Sequence, residues 1–89
     1  MRTARAGMLF ALIALSLSAW AGEFNDSCAY GLSEYDVIVE TDCSVNWQDL
    51  KTGKTYCFSD ANAKRDFLKR PKANIEKAAK AYVKLQKQQ

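Results

Sequence analysis

Cys28, Cys43 and Cys57 are the residues of this 89-residue chain with the widest chemistry open to them. A thiol can cross-link, ligate a soft metal or act as a nucleophile, and its compartment and neighbours decide which. The chain has no histidine, which removes the commonest general base and the commonest metal ligand together. Structural zinc takes four ligands, so three thiols are too few for it by themselves; copper(I) accepts fewer. Cys57 would be nucleophilic if Lys54 or a following helix N-terminus stabilised its thiolate, but its place in a strand pattern beside Phe58 favours a buried or disulfide-bonded sulfur. Asp36 and Asp42 are the available carboxylate pair and read as solvated loop or strand-edge residues. No Cys-x-x-Cys pair, glycine-rich phosphate loop or serine with a base beside it is present. These absences argue against an enzyme and leave no catalytic residue to nominate.

Whether the thiols meet an oxidant depends on where the chain goes. Its first residues, "MRTARAGMLFALIALSLSAWAGEF", have the parts of a secretory leader: Arg2 and Arg5, an apolar core from Gly7 to Trp20, and a small-x-small pattern at Ala19 and Ala21. Cleavage is expected after Ala21. The apolar run would make a helix of roughly 21 Å, too short for a hydrocarbon core of about 30 Å, so no stable membrane span is expected after processing. The expected product is periplasmic or secreted, and removing 21 of 89 residues leaves 68. A domain that small sits near the lower limit of independent stability and gains from a cross-link. Three cysteines allow one disulfide and leave one thiol over.

Charge in the processed chain is segregated. Residues 22–60 carry eight acids and two bases, and residues 61–89 carry nine bases and two acids. Opposite halves of one small fold attract each other, and no aromatic residues alternate with the lysines as a base-stacking groove requires. A nucleic-acid partner is therefore not expected; another exported protein is.

The elements that must position these residues follow from local pattern. Residues 22–34, "GEFNDSCAYGLSE", are small and polar and read as an N-terminal loop segment or a short helical turn. Tyr35 to Thr41 has the β-branched density of a strand. Val45 to Gln48 and Lys54 to Phe58 read as a β-hairpin, with Gly53 at a turn position of positive φ. That register sets Cys57 opposite Asn46 or Trp47. An extended strand would then hold Cys43 about 10 Å further along, which argues against a Cys43–Cys57 bridge and favours a pair that includes Cys28. Ser59 or Asp60 suits an N-cap for a helix over Ala61 to Arg70. Pro71 breaks it, and a last helix over 72–88 carries an apolar stripe of Ile75, Ala78, Ala79, Tyr82 and Leu85. The fold class expected is α+β: a small antiparallel sheet, hairpin plus one strand, packed against two C-terminal helices. The aromatic set Tyr35, Trp47, Tyr56, Phe58, Phe67 and Tyr82 reads as its core.

The segment "GKTYCFSDANAKRDFLKRP", with Gly53, Tyr56, Phe58, Phe67 and Pro71 at their spacings, resembles the YHS domain, a small module related to TRASH-type metal-binding domains. Upstream, "YDVIVE" is similar to that family's first strand, so the resemblance covers about Tyr35 to Lys77 and implies a YHS-like domain at residues 35–89. It implies a compact scaffold and an accessory role. The family's metal-type cysteines fall here on Ser59 and Ala63, and its first-strand cysteine near Ile38 or Val39, so the metal role does not carry over residue by residue. The reading is an exported, cysteine-poor YHS-like binding or accessory module without a cofactor. The alternative is a copper- or zinc-handling protein that uses Cys28, Cys43 and Cys57.

Overall fold

The structure is a computed structural model that describes residues 21–89; the expected secretory leader lies outside the described residues except for Ala21. In chain order the elements are a short 3-10 turn (Glu23–Asp26), α1 (Ala29–Tyr35), β1 (Val45–Gln48), β2 (Thr55–Phe58), α2 (Ala61–Phe67) and α3 (Pro71–Lys87). The fold is α+β, with a two-stranded antiparallel sheet and two C-terminal helices.

The hairpin forms in the expected register, with Val45 opposite Phe58, Asn46 opposite Cys57 and Trp47 opposite Tyr56. Its turn is built around Asp49. The Asp49 carbonyl accepts from the Thr52 and Gly53 amides, its carboxylate accepts from the Lys51 amide at 3.0 Å, and Gly53 takes φ 78°, where a Cβ would be strained. Alternation along β2 sends Tyr56 and Phe58 to one face and Cys57 to the other. All three are buried, because both faces of this strand are covered.

Phe58 and Phe67 meet edge to face, ring centres 5.2 Å apart, and Tyr56 lies against the same Phe67. Cys28, Ala29 and Ala63 complete this cluster. The nine-residue step between the two phenylalanines spans the end of β2, the cap and the whole of α2. Asp60 is the cap: its carboxylate accepts from the Ala63 amide at 2.8 Å. The helix stops at Phe67 rather than Arg70; a turn follows, and Pro71 opens α3, where its missing amide hydrogen costs nothing. In α3, Ala78 and Ala81 are buried and pack with Leu32 of α1. Their small side chains let the two helices approach. Lys77, Lys80, Lys84 and Lys87 face water, and Lys84 pairs with Asp36. That exposed pair is a modest contribution, at most about 1 kcal/mol.

Two expectations are corrected. Of the two readings of residues 22–34 the helical one holds and the loop does not: they contain the 3-10 turn and all of α1 but its last residue, Tyr35, and Ala29 and Leu32 join the two halves of the core. The signal was weak because the N-cap is a cysteine, with the Cys28 sulfur accepting from the Gly31 amide at 3.4 Å, and because Gly31 sits inside the helix. Tyr35 to Thr41 is not a strand. Among the described residues its ladder contacts are an isolated bridge between Glu40 and Ser27 and backbone bonds from Cys28 to Val39 and from Thr41 to Asp26. Ser27 and Cys28 stand between the 3-10 turn and α1, so they offer too short an edge to extend a third strand.

Candidate functional site

The three thiols divide. Cys43 and Cys57 form a disulfide across 14 residues with their Cα atoms 4.8 Å apart, and Cys28 is free and buried. A bridge that includes Cys28 is thereby corrected. The register was right, but the chain does not run straight back from β1. Cys43 takes φ 62°, its amide donates to the Thr41 hydroxyl at 3.0 Å, and its carbonyl accepts from the Asn46 side chain at 2.7 Å. This hook returns its sulfur over β2.

Cys28 is 2 % exposed. Its sulfur accepts from the Gly31 and Ser59 amides, both at 3.4 Å, and lies 3.6 Å from the Ser59 hydroxyl. This cysteine ties the start of α1 to the end of β2. The candidate metal trio Cys28, Cys43 and Cys57 is therefore not gathered at one point. The group that does come together is Asp26, Cys43 and Cys57, with ligand atoms within 4.8 Å of one another. Its two sulfurs are bonded to each other, so they offer no thiolate. Asp36 pairs with Lys84, and the Asp42 carboxyl is held below the usual carboxylate range by the Ser44 amide it accepts. Each carboxylate has its own partner, Lys84 for Asp36 and the Ser44 amide for Asp42.

The motif residues assemble as scaffold. Phe58 and Phe67 are core, Gly53 makes the turn, and Tyr56 and Pro71 come together at the wall of a cleft of about 480 Å³ between the hairpin and the first turns of α3. Trp47, Tyr56, Pro71 and Ile75 give this cleft its apolar lining, and Trp47 stacks on Tyr56 with ring centres 5.9 Å apart. Lys51, Lys54 and Lys72 stand at its rim against Asp49 and Glu76. Leu50, at the hairpin tip, is 89 % exposed.

No family model, curated protein or solved structure matches the chain. The site must be read from its own geometry. Reading the aromatic residues as core fails for Tyr35, which is 65 % exposed, and misses that Trp47 is only partly covered; no spacing rule pairs Ile75 with Trp47, because they lie on separate elements. The one available hint was the placement of lysines either side of Gly53 and after Pro71.

Tyr56 carries a pH signature. Burial pushes its phenol above the ordinary tyrosine value, and the charges of Glu23 and Asp49 add to this. The folded state thus favours the protonated phenol. Its stabilisation is complete below the unfolded value of about 10 and is lost as pH rises through the folded value. Tyr56 is expected to ionise late, together with unfolding, in an ultraviolet phenolate titration followed in parallel by circular dichroism; the Tyr30 phenol is pushed up as well, chiefly by desolvation. Ionisation of all four tyrosines at the ordinary value with the fold intact would count against it.

Proposed function

We propose that this chain is an exported, non-catalytic binding module of YHS-like type, and that the Trp47–Tyr56–Pro71–Ile75 cleft receives an acidic segment of another exported protein that carries an aromatic or proline residue. The cleft carries the reading. Its apolar lining suits a side-chain anchor, its rim has three lysines to two carboxylates, and exposed Leu50 adds apolar area beside it. Stacked aromatics over a polar rim are the usual anatomy of a small recognition site. Support for the accessory role comes from the thiols: two are joined and the third is enclosed in backbone hydrogen bonds. Among the described residues no helix is long and apolar enough to cross a membrane.

Of the two tryptophans, Trp20 leaves with the leader and Trp47 stays, so the processed protein reports on its own cleft. A short acidic peptide with one central aromatic residue is expected to shift Trp47 emission saturably, with affinity that falls as salt rises. Lys54→Glu with Lys72→Glu should weaken it about tenfold or more. A flat titration would remove the cleft reading. Three alkylatable thiols and stoichiometric copper or zinc in the purified protein would replace it with the metal-handling alternative.

A further inference from the structure

Gly22 is the residue that the leader reading makes the first of the processed chain, and it occupies a tight position. Its backbone nitrogen donates to the Asp26 carboxylate at 2.8 Å. A Cβ there would collide with the Cys57 sulfur and stand 2.7 Å from the Asp26 Oδ1 and 3.2 Å from the Cys43 sulfur. Only glycine fits against the disulfide in this way.

The intervening turn is unusual. Phe24, Asn25 and Asp26 take φ of 59°, 54° and 61°, three successive left-handed residues that cost roughly 1–2 kcal/mol each. Such a turn persists where its surroundings fix it, and here they do. The Phe24 ring sits between Tyr56 and Tyr82, 5.9 and 5.4 Å from their centres, and so touches both halves of the core. The Asp26 carbonyl accepts from the Thr41 hydroxyl at 2.7 Å, and that hydroxyl in turn accepts from the Cys43 amide. Asp26 Oδ1 also lies 3.7 Å from the Cys57 sulfur. Asp26 thus connects three points, its side chain the nitrogen of Gly22 and the disulfide, and its backbone carbonyl the Cys43 hook.

We propose that cleavage between Ala21 and Gly22 turns this contact into an ion pair, the new α-ammonium of Gly22 on the Asp26 carboxylate, which locks the N-terminal turn over the Cys43–Cys57 disulfide and shields it from reductants. The proposal rests on the leader reading. Before cleavage the Gly22 nitrogen is an amide with one hydrogen to give; afterwards it is a cation with three. A charge-assisted bond is about twice as strong as a neutral one. Maturation would then complete the fold as well as release it.

The test uses the full chain, exported and processed in cells, beside a version with one alanine inserted after Ala21, the start of each fixed by intact mass. The Gly22-start protein is expected to lose its disulfide to dithiothreitol about 5–10-fold more slowly than the extended one. Asp26→Asn should bring the Gly22-start protein to the extended protein's rate and change the extended protein little. Equal rates for the two starts, or the same effect of Asp26→Asn in both, would overturn the lock; should that variant fail to fold, the comparison of starts decides alone. Nα-acetylation of Gly22, which removes the charge, should match the extension. A natural start other than Gly22 would remove the leader reading and the proposal with it, whereas a Gly22 start with equal rates removes only the lock.

Discussion

Cys43→Ser is expected to remove about 3 kcal/mol of stability, the loop-closure term for a cross-link spanning about 15 residues, and to lower the melting temperature by about 10–20 °C. The bridge joins the hook before β1 to β2 across 14 positions. β1 and β2 are the only named strands among the described residues, and an isolated two-stranded hairpin is marginal in water. A domain of this size holds only a few kcal/mol in reserve, so the variant should be largely unfolded at physiological temperature. Cys43 is the better position to change, since Cys57 is fully buried and its replacement would mix a cavity with the lost bond. Thermal unfolding by circular dichroism, with and without dithiothreitol, makes the check: reduction of the wild type should reproduce the variant's melting temperature. Equal melting of reduced and oxidised protein would show that the bridge contributes nothing. Cys28→Ser, which keeps an acceptor for the Gly31 and Ser59 amides, should cost far less.

Phe67→Ala is expected to be as damaging, at about 3–5 kcal/mol. Phe67 is fully buried and its ring touches both Phe58 and Tyr56, so it is the side chain through which α2 holds the hairpin. Its loss leaves a cavity between elements too short to close over it. Urea unfolding should lose its cooperative transition, and the near-ultraviolet signal of the packed aromatics should fade while far-ultraviolet helix content is partly kept. Phe67→Leu, which fills most of the volume, should cost about 1.5 kcal/mol or less. A loss under about 1 kcal/mol for the alanine variant would mean that the edge-to-face pair does not organise this core.

The legible part of the fold was the C-terminal half, where each signal is local. Gly53 with the flanking strand residues marked the hairpin, Ser59 or Asp60 the cap, Pro71 the helix boundary, and the three- and four-residue repeat of Ile75, Ala78, Ala79, Tyr82 and Leu85 the face of α3, though that stripe passed over Ala81, which is buried. The N-terminal half misled for an identifiable reason. Val37, Ile38 and Val39 have the residue types of a strand, but a strand exists only with a partner, and the edge beside them is Ser27 and Cys28. Conversely, "CAYGLSEY" lacks a helix's usual polar cap and carries an internal glycine, yet it is the buried centre, because Leu32 fits against Ala78 and Ala81. Tertiary burial outweighed weak local propensity in both places.

For the candidate site the division is sharper. The sequence by itself determined which chemistry was open: three thiols and no histidine. It narrowed the partner of Cys57 to Asn46 or Trp47, since register follows from the turn, and the structure pairs it with Asn46. Only the tertiary structure decided which thiols join. The deciding quantity was the backbone of Cys43, a left-handed φ of 62° held by Asn46 and by Thr41, whose hydroxyl is in turn fixed on the Asp26 carbonyl far back in the chain; an ordinary residue enters that region only when its surroundings compensate the strain. The same dependence on distant partners set Gly22 against the disulfide and opened the cleft beside Trp47, because each is made by residues that meet in space while lying far apart in the chain.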